Sequence, residues 1–194
     1  MPASGKSGVA AKISQSYGAA ILDSDFAKRK LPEYAQYPWG ASLVNAESSS
    51  IVFGDKNQTG FYSLFERAVE SDYNIVIPKI GRDVYEILSL SKNLCEAKYE
   101  VHLTLVYLPK EKATEGALGR YIDTDRYVPL ARIFDIYGNN PAFNYFLIKN
   151  AAPMTIKSYG IVNTDVAKKK DFLCTDILND NPAKMFEILK NVLI

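Results

Sequence analysis

Apolar residues recur along the chain in two alternating rhythms, and the alternation predicts the fold. Val9, Ala10, Ile13 and Tyr17 fall at helical spacing and predict a helix over about 6–17. Ala19-Ala20-Ile21-Leu22-Asp23 then reads as a buried strand that ends in acidic residues. A turn-rich segment with Pro32, Pro38 and Gly40 follows, and Leu43, Ala46, Ser50 and Phe53 place a helix near 42–53. Residues 54–60 form a loop, Gly-Asp-Lys-Asn-Gln-Thr-Gly. Tyr62, Leu64, Phe65, Ala68 and Val69 line one face of a helix over 61–71. Asn74-Ile75-Val76-Ile77 is a buried strand stopped by Pro78. A helix over 83–97 leads to a strand over 99–108, rich in Val, Leu, Thr and Tyr. Residues 109–120 read as a loop and a helix. Beyond Asn139-Asn140-Pro141 the pattern weakens. There, 161–164 reads as a last strand and 182–194 as a terminal helix with Pro182 near its first turn. Strands and helices alternating at these lengths predict an α/β fold, a parallel sheet with helices on both faces. The expected organisation is one domain over 1–194, with 136–194 its less sharply patterned part. Ligands of such sheets bind beyond the carboxyl ends of the strands. That puts Asp23-Ser24-Asp25, Pro78 to Arg82 and the residues from Pro109 on the same rim as the start of the chain.

The start of the chain adds chemistry to this frame. Met1-Pro2-Ala3-Ser4-Gly5-Lys6-Ser7 ends as the phosphate-binding pattern G-x-x-x-x-G-K-[ST] ends. The first glycine of the pattern would stand one position before Met1. The strand that delivers such a loop, the first of a P-loop fold, is therefore expected to be missing from the chain. In such a loop the backbone of Pro2, Ala3, Ser4, Gly5, Lys6 and Ser7 surrounds a phosphate. Lys6 reaches the β- and γ-phosphates, and the Ser7 hydroxyl binds Mg²⁺. The implied ligands are ATP and Mg²⁺. A chance Gly-Lys-Ser in an N-terminal tail is the competing reading. The helix and the buried strand that follow are the context a P-loop requires. Asp23 and Asp25 alternate along an extended segment, so one of them is expected to face the cleft. There it would bind Mg²⁺ or take a proton from an attacking hydroxyl. A helix cap before Phe26-Ala27-Lys28 accounts for an acid here equally well.

Composition narrows the function classes. With 194 residues and 47% hydrophobic residues the chain can bury a full core. Its 23 basic and 22 acidic residues nearly cancel, so neither nucleic acid nor a membrane surface is implied as a partner. The 13 tyrosines are scattered rather than set beside a basic stripe. Cys95 and Cys174 lie far apart, which favours thiols over a disulfide. His102, the sole histidine, sits in Val101-His102-Leu103-Thr104-Leu105 and reads as a satisfied strand histidine. One histidine and two distant cysteines make a poor zinc set. No stretch reaches the ~20 apolar residues of a membrane span, and with no signal peptide a cytoplasmic location is expected.

Several strings together resemble the zeta toxin family of P-loop kinases. They are Ile21-Leu22-Asp23-Ser24-Asp25-Phe26, Leu31-Pro32-Glu33-Tyr34 and the run Gly40 to Ser49 with Glu47. Asp72 to Ile77 with Gly81-Arg82, Tyr99 to Lys110, Gly119-Arg120-Tyr121 and Ala131-Arg132 continue the series in order. The likeness covers about residues 1–135. It implies an ATP-dependent kinase that phosphorylates a hydroxyl of a small molecule, UDP-N-acetylglucosamine in the family. It also implies a toxin paired with a small antitoxin protein. Position by position, it implies Lys6 and Ser7 in the P-loop roles and Asp25 as general base. Arg120 and Arg132 match the arginines that stabilise the transferring phosphoryl group, as arginine's fork suits phosphate oxygens. Glu47 and Arg82 fall on the substrate side. The family's Glu-Gly-Thr-Gly-Arg-like run is replaced here by Pro78-Lys79-Ile80-Gly81-Arg82. A nucleotide-binding remnant without turnover and a small-molecule kinase of a neighbouring P-loop family are the alternatives.

Overall fold

The computed structural model describes residues 4–37, 39–55, 60–124, 139–166, 171–178 and 180–186, without the side chains of residues 120, 123 and 124. Contacts divide the chain into two compact units. One is built from Met1–Val9, Lys79–Ala117 and Pro129–Ile194, the other from Ala10–Pro78 and Leu118–Val128.

The chain begins with helix α1, Lys6–Tyr17. In the second unit, strand β1 (Ala20–Ile21) runs parallel to β2 (Ile75–Val76), with Ala20 opposite Ile75 and Ile21 opposite Val76. Backbone bonds from Ala20 N to Asn74 O and from Leu22 N to Val76 O carry the pairing past the regular strands. Between the two strands lie α2 (Ser24–Lys28), α3 (Glu33–Gln36), α4 (Gly40–Leu43), α5 (Asn45–Phe53) and α6 (Leu64–Glu70). Leu22, Val52 and Ala68 form the buried centre, with Ala27, Phe53, Phe65, Ile75 and Ile77 packed on it. Helix α6 starts at Leu64, later than the helix expected from 61, because Ser63 caps it. Ser63 accepts from Glu66 N, and the Glu66 carboxylate accepts from Ser63 N at 2.8 Å, a reciprocal cap. The Ser63 amide and the Ser63 hydroxyl, both donating to that carboxylate, hold the Glu66 carboxyl below the usual carboxylate range.

In the first unit, α7 (Val84–Glu96) is capped by Asp83, whose carboxylate accepts from Tyr85 N at 2.8 Å. Strand β3 (His102–Tyr107) follows, then α8 (Lys110–Thr124) and α9 (Asn140–Ala151). Strand β4 (Ser158–Asn163) lies parallel to β3, from His102 opposite Ser158 to Tyr107 opposite Asn163. Strand β5 (Leu173–Leu178) closes the far side of β4 antiparallel, with a register shift at Ile161/Val162. A 3₁₀ turn over Pro182–Phe186 ends the described chain. Tyr145 and Ile148 of α9 join Ile156 and Tyr159 in the core, against Val84, Ile87 and Leu88 of α7. The Tyr145 and Tyr159 rings meet edge to face, 6.2 Å between centroids, and burial pushes both phenols up.

Asn181 ties the terminal turn to this sheet. Its side chain accepts from Thr104 Oγ1 and from Ala183 N, each at 2.9 Å, and donates to Leu103 O at 3.2 Å. It lies so close over β4 that a Cβ on Gly160 would stand 2.6 Å from its oxygen.

Three sequence expectations change. The first strand covers 20–21 and stops before Asp23, because Asp23 caps α2 instead of extending the strand. The region beyond residue 139 holds a full helix, α9, and the antiparallel strand β5, where the weak pattern predicted neither. The expected terminal helix over 182–194 is a short 3₁₀ turn as far as residue 186, and its remainder lies outside the described residues.

A candidate phosphate-binding site and its acidic counterpart

Gly5 adopts φ +77°, the left-handed region open to glycine, and its carbonyl accepts from Gly8 N at 3.0 Å and Val9 N at 3.2 Å. The turn so made launches α1 at Lys6. The amides in the first turn of a helix have no intrahelical acceptor, and the helix dipole favours an anion there. Ser7 and Gly8 are exposed, Lys6 is half-buried and Ser4 is buried. A Cβ on Gly8 would meet the Phe172 ring at 3.1 Å, so glycine lets this ring close over the helix start. Gly5 packs the same way on Thr164, whose methyl carbon would stand 3.1 Å from a Cβ at that position. This turn sets a lysine and a hydroxyl at the start of a 12-residue helix, an arrangement whose chemistry suits a phosphate. Ser7, exposed in the first turn, fits the ligand that a P-loop offers to Mg²⁺. Such an ion takes most of its other ligands from phosphates and water. Among the described residues no cluster of His, Cys, Asp or Glu could hold a metal by itself. Pro2 and Ala3 lie outside the described residues.

The acids are separated by role. The Asp23 carboxylate accepts from Asp25 N at 2.9 Å and caps α2. Asp25 lies in the first turn of that helix, its carboxylate partly exposed and 3.2 Å from Lys28 Nζ. The expectation that the two alternate on a strand therefore gives way to a cap and a helical residue. Helix α2 packs against α5, which carries Glu47 in its first turn. Glu47 lines a pocket of ≈ 450 Å³ together with Ala46, Ser50, Ile51, Asp55 and Phe61. In this unit the structure thus brings the helix of Asp25 and the helix of Glu47 together.

Arg82 is exposed in the first unit, after Gly81 and beside the Asp83 cap. The Gly81 turn, φ +77°, is held by Asn144 Nδ2, which donates to Gly81 O at 3.0 Å. Arg120 falls on α8, but its side chain lies outside what is described, as does the whole of Arg132. His102 meets Ser158 Oγ at 2.6 Å through Nδ1, the satisfied strand histidine that its sequence setting predicts. Cys95 and Cys174 are unbridged thiols, and Cys95 donates to Thr155 O at 3.2 Å. Among the described residues no helix is long and apolar enough to cross a membrane.

Thr164 is the residue of this site that sequence reasoning passed over as the end of a strand. Its Oγ1 donates toward Ser4 O at 2.9 Å and Tyr107 O at 3.0 Å. The legible signal was Asn163-Thr164-Asp165 directly after an apolar strand, three residues whose short side chains bond to nearby backbone and make turns.

The zeta toxin family model matches residues 1–155. A solved structure described as the PezAT chromosomal toxin–antitoxin system of the human pathogen Streptococcus pneumoniae is similar over 92% of this chain and 69% of that one. The two share 17% sequence identity and a TM-score of 0.63. At that identity the likeness establishes the fold, parallel strands flanked by helices in a mixed α/β arrangement. No curated protein is significantly similar to the chain.

Proposed function

The chain belongs to the zeta toxin family, and from that premise we propose that it is a kinase moving the γ-phosphoryl group of ATP to a hydroxyl of a small molecule. The acceptor we propose is UDP-N-acetylglucosamine, and the physiological role that of the toxin in a toxin–antitoxin pair. The observation that carries the reading is the turn at Gly5, which sets Lys6 and Ser7 on the first turn of α1. The likeness to a toxin–antitoxin structure supports an antitoxin protein as partner.

Residues 2–7 bind the phosphates, and Lys6 places its charge against the β- and γ-oxygens. Mg²⁺, when bound at Ser7, neutralises charge on those oxygens. Asp25 accepts the proton of the acceptor hydroxyl as its oxygen bonds to the γ-phosphorus. The bond from that phosphorus to the β-bridging oxygen breaks, and ADP carries the electron pair away. Asp25 then returns the proton to solvent. Glu47 and its pocket hold the acceptor, and Arg82 keeps the substrate-side role that the resemblance implies. Arg120 and Arg132 supply the positive charge that a phosphoryl transition state needs.

Incubation with γ-labelled ATP, Mg²⁺ and UDP-N-acetylglucosamine tests this directly. Label is expected on the sugar nucleotide, and Lys6→Ala is expected to abolish transfer with an unchanged circular dichroism spectrum. Transfer undiminished in Lys6→Ala would remove the loop from the mechanism. Label on a different hydroxyl compound would reassign the acceptor. ATP binding without transfer to any acceptor would make the chain a binding module.

A further inference from the structure

We infer that Thr164 is a positioning residue that aims the backbone of the phosphate loop. This rests on the kinase reading only for its consequence on ATP. The geometry stands without it.

Thr164 follows β4 directly and reaches two backbone segments at once. Its amide donates to Tyr107 O at 3.0 Å, which fastens it to the end of β3. Its hydroxyl has one proton to share between Tyr107 O and Ser4 O, at 3.0 and 2.9 Å. Its methyl group lies against Gly5. The turn that carries it is itself fixed. Asp165 N donates to Asn163 Oδ1 at 2.8 Å, and Val166 N donates to Thr164 O at 2.9 Å. A side chain on a turn this constrained is an anchor rather than a passenger.

The consequence follows from peptide geometry. In a planar trans peptide the carbonyl and the next amide point in opposite directions. Drawing Ser4 O onto Thr164 therefore fixes the direction of the Gly5 N–H, opposite to that carbonyl. Preorganised donors act without reorganisation when charge arrives. Gly5, with no side chain to limit it, would otherwise let this peptide rotate. The hydroxyl is what selects one orientation. The methyl group fills space and selects nothing.

Two near-isosteric variants separate these roles. Thr164→Val keeps the shape and loses the hydroxyl, while Thr164→Ser keeps the hydroxyl and loses the methyl group. Without nucleotide, the backbone amide NMR order parameters of Gly5 and Lys6 should fall below wild type in Thr164→Val, and stay near wild type in Thr164→Ser. Calorimetric titration with Mg·ATP should show a Kd raised about tenfold in Thr164→Val alone, the worth of one hydrogen bond. Melting temperatures of both variants should remain close to wild type. Unchanged order parameters in Thr164→Val, or equal effects of the two variants, overturn the anchor. Lowered order parameters with unchanged ATP affinity overturn the positioning role. If wild type fails to bind Mg·ATP, or Lys6→Ala binds it as wild type does, the kinase reading falls, and the order parameters still decide the anchor.

Discussion

Asp23 and Asp25 stand two positions apart and do different work. The carboxylate of Asp23 is committed to Asp25 N at the start of α2. That of Asp25 lies 3.2 Å from the Lys28 ammonium and is partly exposed. Asp23→Ala is therefore expected to cost about 1 kcal/mol of stability through the lost cap. Its residual turnover, measured on the folded fraction, should stay within a few-fold of wild type. Asp25→Asn is expected to leave the melting temperature nearly unchanged and cut kcat by ~10²–10⁴. Denaturant melts beside steady-state kinetics read both, and equal losses of kcat in the two variants would take the base role from Asp25. Spacing alone presented this pair without dividing it, because a cap is recognised by where the helix begins. Lys6 and Ser7 differ in kind. The pattern they belong to is defined by adjacency in the chain, and the structure sets both at the start of α1.

At the scale of elements, Ser63 and Glu66 form a cap over one turn and start α6 at Leu64, where apolar spacing alone had placed the helix from 61. Ser63→Ala should cost about 0.5–2 kcal/mol, toward the upper end because Ser63 is fully buried. Urea unfolding measures it, and a loss under 0.3 kcal/mol would mean the cap contributes nothing of note. Helix α9 shows why other elements were missed. Phe143, Phe146 and Leu147 are exposed while Tyr145 and Ile148 are buried. Apolar residues on every side leave no face for periodicity to find. Strand β5 was hidden differently. The register shift opposite Ile161/Val162 breaks the two-residue alternation by which a half-buried strand is recognised.

For the molecule as a whole, one titration is informative near neutral pH. Burial lowers the affinity of His102 for a proton. Glu100 and Asp180 raise it and Lys157 lowers it, and the balance leaves the pKa below the ordinary histidine value. The unfolded chain, with an ordinary histidine near ~6.5, then binds the proton more readily. The stability that neutral His102 contributes is present above that value and is lost as pH falls through the folded value. The melting temperature should decline from pH 7.5 to 5.5. His102→Asn, which keeps a polar group facing Ser158 but does not titrate, should flatten that decline. Parallel pH profiles for the two proteins would place the sensitivity elsewhere. Glu100, held below the carboxylate range by its bond to Lys157, adds acid lability only at lower pH.

The bond from Thr164 to Ser4 joins positions 160 residues apart. A growing polypeptide cannot make it until the 160 residues after Ser4 have been added. At ~5–20 residues per second, the loop emerges and waits about 8–30 s for the threonine that aims it. Asn181, which ties β3 to the terminal turn, arrives later still. Ser4 and Gly5 therefore stay unset through the synthesis of everything between them and Thr164. A ribosome that stalls anywhere before Thr164 releases a chain whose loop is present in sequence and unaimed in structure.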